Sequence, residues 1–275
     1  PLPFVYPPWL FNFLLLPYLF FLQWKYRYDI LRVHSPYFVG PAAIVFKLFN
    51  PEVKVVASYL HLEPEDKFYE LVDRKLVSYY SLITTISEAT KEDILKRYKV
   101  DHTKITVIPC GVDTKYKPLP KNLKLVDKYQ LANKKVLLYL GQLIKRKNIP
   151  FLFKVLKKLP KNYVIMICGD GPLRQELEHN ASDRVIFTGK ISESEKVDYY
   201  NLADVFVSPS RLEGFGLSVL EVQACGKPVV ISDIPVFREI CRGKNGCTSV
   251  PLDVGNWAES IVASITKDVT GHFNQ

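Results

Sequence analysis

A chain of 275 residues with 48% hydrophobic content can fill the cores of two modest domains, which excludes a disordered or low-complexity protein. Its net charge of +9 is spread over both halves, which excludes a dedicated nucleic-acid arm and lends only weak support to anionic partners such as a phosphorylated ligand or an acidic membrane face. Five cysteines, Cys110, Cys168, Cys225, Cys241 and Cys247, are odd in number and form no C-x-x-C pair, which predicts free thiols in a reducing compartment.

The opening stretch PLPFVYPPWLFNFLLLPYLFFLQW is strongly apolar. The run from Trp9 to Trp24 is interrupted by Pro17 and falls short of the about 20 residues that a membrane span requires. Two readings stay open: a buried helix of the first domain, and an interfacial helix whose tryptophans sit beside Lys25 and Arg27. From residue 28 onward strands and helices alternate. YDILRVHS, VKVVASYLH, LITTIS and KITVIPCG read as strands, and VGPAAIVFKLF, DKFYELVDRKLVSYY and SEATKEDILKRY as helices. Continuous apolar strands between amphipathic helices predict a parallel sheet covered on both faces, hence a Rossmann-like domain over 1–118. The lysine-rich stretch 119–134 reads as a linker. The alternation resumes over 135–275, with strands KVLLYLG, YVIMICG, RVIFTG, DVFVSPS and PVVIS and helices beginning near Asn148, Pro172, Ser192 and Ser218. Ser192 with Glu195 spells a capping box, which marks a helix start.

The most informative stretch is SPSRLEGFGLSVLEVQACGKPVVI, residues 208–231. It reads as a strand end, a glycine-hinged loop and a helix, with one carboxylate in the loop, Glu213, and one on the helix, Glu221. Gly214, Phe215, Gly216 and Leu217 let backbone N–H groups approach an oxyanion where the helix opens, which makes a phosphate seat. Two carboxylates beside a phosphate must be aimed at neutral hydroxyls, and a nucleotide sugar has both groups. A second reading of Ser218 and Glu221 is a capping box that merely closes the helix N-terminus.

The segment EGFGLSVLE, with its continuation QACGKPVVISDIPVFREI and the upstream stretches GDGPLRQELE and LYLGQLIKRKNIPFLFKVLKKLP, resembles the Glu-x7-Glu signature of the retaining glycosyltransferases of family four. The resemblance covers nearly everything from Tyr28 onward and implies the GT-B fold: two Rossmann-like domains with parallel sheets facing across a cleft. It also implies an amino-terminal domain that is incomplete or minimal, because a strand and a glycine-rich loop are expected before the matched region. The same likeness implies roles for single residues. Lys147 falls on the lysine that grips the donor diphosphate. The position after Gly141, usually arginine, is Gln142, so the second cation of that grip is in doubt, with Lys145 or Arg146 in a position to compensate. Glu221 is implied to accept the ribose hydroxyls, and Glu213 to sit by the donor sugar. The amides around Phe215 to Leu217 are implied to meet the distal phosphate, and Lys190 with Ile191 to form the base-reading edge. His61 falls on the histidine that contacts the donor sugar.

Other candidates receive plainer readings. Gly169 and Gly171 read as a structural turn, His34 as structural or near the acceptor, and Ser87 with Glu88 as a cleft-facing loop or a helix cap. Cys110 has nothing nearby to lower its pKa and is no nucleophile. No Asp-x-Asp pair and no His/Cys cluster with metal spacing occurs, which predicts a reaction without metal or cofactor. The expected activity is therefore metal-independent, retaining transfer of a sugar from a nucleotide donor to a glycan, lipid-linked or small-molecule acceptor. The expected location is the cytoplasm, at its membrane face if the apolar start touches anionic lipid. A nucleotide-sugar epimerase or hydrolase of the same fold, and a non-catalytic nucleotide-sugar-binding protein, stay open beside it.

Overall fold

The computed structural model describes residues 8–34, 36–60, 67–244 and 246–266. The chain divides into two compact units, Pro1–Cys110 and Gly111–Gln275.

In the first unit, α1 (Pro8–Tyr26) precedes β1 (Ile30–His34), α2 (Pro36–Phe49), β2 (Lys54–Tyr59), α3 (Lys67–Leu76), β3 (Leu82–Thr85), α4 (Glu88–Arg97) and β4 (Ile105–Val107). The four strands pair in parallel in the order β1-β2-β3-β4. Val33, Val55, Ala57, Ile83 and Ile105 point to one face of this sheet and pack with Ala43, Ile44 and Ile94 from the helices. α1 is apolar nearly all round, and only part of it is covered. Leu19 packs with Ala42 and Phe46 of α2, while Phe13, Leu14, Tyr18 and Trp24 stay exposed. Asn12 ties α1 to α2 by donating to the Phe38 carbonyl and accepting from the Ala42 N–H. Among the described residues no helix is long and apolar enough to cross a membrane.

The second unit opens with the short α5 (Leu123–Lys128) and continues β5 (Lys135–Leu140), α6 (Pro150–Leu156), β6 (Tyr163–Cys168), α7 (Arg174–His179), β7 (Val185–Gly189), α8 (Lys196–Leu202), β8 (Val205–Ser208), α9 (Leu217–Ala224), β9 (Val229–Ser232), α10 (Pro235–Cys241), β10 (Cys247–Val250) and α11 (Val254–Thr266). Its sheet is parallel, in the order β10-β9-β8-β5-β6-β7. β6 is wholly buried, as expected for a central strand covered on both faces. Trp257 of α11 is fully buried in the core beneath, and its indole N–H donates to the Pro251 carbonyl at 3.0 Å. The strand order reverses at β5, whose neighbours are β6 on one side and β8 on the other. Open α/β sheets bind ligands outside the carboxyl ends of the strands at such a switch point.

Three expectations change here. The units divide between Cys110 and Gly111, and the stretch 119–134 packs within the second unit instead of bridging the two. Its polar residues find partners there: the Leu119 N–H donates to Asn201 at 2.7 Å, Lys121 pairs with Asp204 at 2.8 Å, and the Tyr129 and Tyr199 hydroxyls meet at 3.0 Å. Second, α10 and the edge strand β10 join elements the sequence pattern had not marked. Third, these two bring Cys241 and Cys247 together in a disulfide with a Cα–Cα distance of 5.1 Å, so the five thiols are not all free and no longer argue for a reducing compartment. Cys110 is exposed and free, whereas burial pushes the Cys168 thiol up to about 12 and the Cys225 thiol up to about 11.

Candidate functional site

β5 ends at Leu140, and the next residue lies against the loop that follows β6. A Cβ on Gly169, whose φ is +144°, would stand 1.9 Å from the Gly141 carbonyl oxygen, and one on Gly171 would stand 2.6 Å from that of Leu143. The GDGP glycines are therefore structural: they let two strand-end loops touch, and the Leu143 N–H donates to the Asp170 carbonyl at 3.0 Å across the join. Above this floor opens a pocket of about 400 Å³, bordered by Gly141, Gln142, Gly169, Asp170, Lys190 and Ile191, and on its far wall by Glu193 and Lys196.

The loop after β5 is also fastened to the loop after β8. Lys145–Lys147 form a single 3-10 turn closed by Asn148 in the left-handed region, φ +53°. From this turn the Arg146 carbonyl accepts the Arg211 N–H at 2.8 Å, the Arg146 guanidinium donates to the Leu212 carbonyl at 3.0 Å, and the Asn148 amide donates to the Pro209 carbonyl at 3.3 Å. This clip delivers Lys147 to Glu213. Lys147 Nζ lies 2.5 Å from Glu213 Oε1, which also accepts from Ser210 Oγ at 2.7 Å, and Arg146 Nη1 lies 3.5 Å from Oε2. The Lys147 and Glu213 side chains are 15% and 9% exposed, so their charges face each other with little water between. Ser210 is itself fixed, its carbonyl accepting from Ser232 Oγ.

Past Glu213 the loop reaches Gly216, which has φ +87° and leaves no room for a Cβ, since that atom would stand 2.7 Å from the Phe237 ring. α9 starts at the next residue with Gly216 as its cap and no side-chain bond to its first turn. Ser218 is thus inside the helix, and Ser218 with Glu221 is not a capping box. Glu221 points elsewhere: Oε2 accepts from the Tyr200 hydroxyl at 2.6 Å and lies 3.8 Å from Lys196 Nζ, with 6% of the side chain exposed. Burial first, and the adjoining carboxylate second, push the Tyr200 hydroxyl far above its ordinary value, so it stays protonated and donates.

The candidates named from the sequence fall into three groups in this unit. Gly141, Gln142, Lys190 and Ile191 border the pocket; Lys147 and Arg146 hold Glu213; and Gly214, Phe215, Gly216 and Leu217 form the turn between the two acids. Lys145 is exposed and Arg146 is turned to Leu212 and Glu213. In the first unit His61 lies outside the described residues, His34 is exposed at the end of β1, and Ser87 is the N-cap of α4, accepting from the Thr90 N–H at 3.1 Å with Glu88 opening that helix. Tyr200, Ser210, Glu193 and Lys196 were not marked by the motif. Only the S-E-S-E-K run of charges at the start of α8 hinted at the last two.

Residues 122–268 match the family described as Glycosyl transferases group 1, and residues 1–116 match Glycosyltransferase Family 4. The chain is 31% identical over 199 residues to the O-antigen chain mannosyltransferase B of Escherichia coli, an overlap that covers 68% of this chain and 52% of the relative. It is 29% identical over 230 residues to the UDP-Gal:alpha-D-GlcNAc-diphosphoundecaprenol alpha-1,3-galactosyltransferase of the same organism, covering 76% of this chain and 59% of that one. Among solved structures it resembles HepE of Anabaena in complex with UDP-glucose, with a TM-score of 0.79, 22% identity, and coverage of 90% of this chain and 72% of that one. This likeness shows the fold, GT-B. The chain spans about half the length of the curated relatives it matches.

Proposed function

Because the chain belongs to the glycosyl transferases group 1, we propose that it moves a sugar from a nucleoside-diphosphate donor to a hydroxyl of an acceptor, with retention of configuration and without a metal. The observation that carries this reading is the pairing of Lys147 with Glu213 at the β5/β8 switch point. Departure of a diphosphate needs a cation beside it, and Lys147 fills that role by exchanging its carboxylate partner for the phosphate oxygens. Glu213, still held by Ser210 and Arg146, then faces the hydroxyls of the donor sugar. The first amides of α9, which have no acceptor within their own helix, take the remaining phosphate oxygens. Glu221 offers the oxygen not engaged by Tyr200 to the ribose diol. Gln142 donates a hydrogen bond but no charge, so Lys147 bears most of the neutralisation.

The acceptor is a glycan, a lipid-linked sugar or a small molecule. The exposed apolar side of α1, with Lys25 and Arg27 at its end, suits peripheral contact with an anionic membrane surface. Glu213→Ala tests the catalytic assignment: sugar transfer is lost while the circular-dichroism spectrum persists and melting stays cooperative, at a temperature lowered by the stranded Lys147. Normal turnover in that variant contradicts it.

A further inference from the structure

Two carboxylates border the pocket, and they differ in what holds them. Asp170 is tied to its own turn, Oδ1 accepting the Gly171 N–H at 2.8 Å and Oδ2 lying 3.8 Å from Arg174. Glu193 is 70% exposed and aimed by its surroundings: Oε1 is 2.6 Å from Lys196 Nζ, while Oε2 is 3.4 Å from the Tyr116 hydroxyl and 3.9 Å from Lys115. The Lys196 ammonium holds the Glu193 carboxyl below the usual carboxylate range, so it is ionised at neutral pH. Each carboxylate oxygen has two acceptor sites. With these contacts made, a pair of adjacent acceptors remains, one on each oxygen. Lys196 is only 17% exposed and also leans on Glu221, so its ammonium is a fixed anchor for the glutamate.

The pocket can hold a base and its ribose, and its rim is a short sequence of distinct chemistries. Lys190 is a cation, Ile191 is apolar, and Glu193 is a double acceptor. Guanine presents two adjacent donors, N1–H and the 2-amino group, on the edge next to its acceptors O6 and N7. Uracil presents acceptor, donor, acceptor, so a carboxylate set against it meets two repelling carbonyl oxygens. Adenine sets an acceptor, N1, beside its amino donor and mismatches in the same way.

We propose that the donor of this enzyme is a guanosine-diphosphate sugar, with Glu193 reading the guanine N1–H and 2-amino group, Lys196 positioning Glu193, and Lys190 facing O6 and N7. The proposal rests on the reading of this pocket as the nucleotide site. Calorimetric titration of the full chain with GDP, IDP and UDP tests it, since IDP differs from GDP only in lacking the 2-amino group. GDP binds at least about tenfold tighter than UDP, the discrimination a bidentate base contact provides, and IDP falls between them. Glu193→Gln, at an exposed position where folding is not at stake, brings GDP down to the level of IDP. UDP binding as tightly as GDP, or a GDP preference unchanged in Glu193→Gln, overturns the guanine assignment and leaves the nucleotide site standing. Binding of none of the three overturns the nucleotide site itself.

Discussion

Lys147 and Glu213 neutralise each other at a nearly dry contact, so removing one strands the other. Breaking a fully buried pair costs about 3–5 kcal/mol. Here Arg146 remains at 3.5 Å and both groups keep some exposure, so Lys147→Met destabilises by less than that, and urea unfolding reads the loss. Adding Glu213→Gln to Lys147→Met restores stability without restoring donor binding, which separates the structural role of the pair from its functional one. Tyr200→Phe removes the donor that fixes Glu221. The buried carboxylate then loses its hydrogen bond and keeps only Lys196 at 3.8 Å, at a cost of about 1–3 kcal/mol, and on the ribose role proposed for Glu221 the KM for the donor rises more than kcat falls. Glu213, Glu221 and Lys147 could be picked out as candidates in the sequence because they lie in short motifs whose spacing is itself the signal. Tyr200 was not, since it reaches Glu221 across 21 residues and nothing local marks a tyrosine of α8 as facing α9.

Strands β5, β6, β8 and β9, with continuous apolar runs, were legible as elements because burial on both faces leaves no other composition. β10 was not: Cys-Thr-Ser-Val is short, only partly buried, and lies at the edge of the sheet. Capping boxes gave mixed guidance for a physical reason. Ser192 and Glu195 do exchange bonds, at 2.9 Å from the Ser192 N–H and 3.3 Å from the Glu195 N–H, whereas Ser218 is bypassed because Gly216 already turns the chain into α9. In the first unit, α3 is pinned to β2 and the end of α4 through Asp73, which is 3% exposed and accepts from Tyr59 at 3.0 Å and Tyr98 at 3.4 Å. Burial raises its carboxyl to about 6, against the pull of the two hydroxyls. The folded protein therefore holds more protons than the unfolded chain between about pH 4 and 6, and stability falls as pH rises through that window, by roughly 3 kcal/mol in total. Asp73→Asn removes this slope and stabilises the protein at pH 7, as chemical denaturation across pH will register.

At the scale of the molecule, sequence alternation was enough to predict two parallel-sheet units, because each strand-helix pair must bury its own apolar face locally. The division between them was not legible. Residues 119–134 have the composition of a linker, yet Asn201, Asp204 and Tyr199 bind them to the second unit, and those partners lie some 70 to 80 residues further along. The +9 charge gives the whole surface a mild preference for anions, whereas the proposed site draws its selectivity from a few placed groups, among them the Lys147–Glu213 pair. The most direct measurement is the melting temperature of the full chain during titration with GDP and UDP. At least one of them is predicted to raise it in a saturable way, equivalent to about 2.7 kcal/mol at a hundredfold excess over Kd, and Lys147→Met to abolish the rise. No shift with either nucleotide, or an undiminished shift in Lys147→Met, contradicts a diphosphate seat at the β5/β8 switch point.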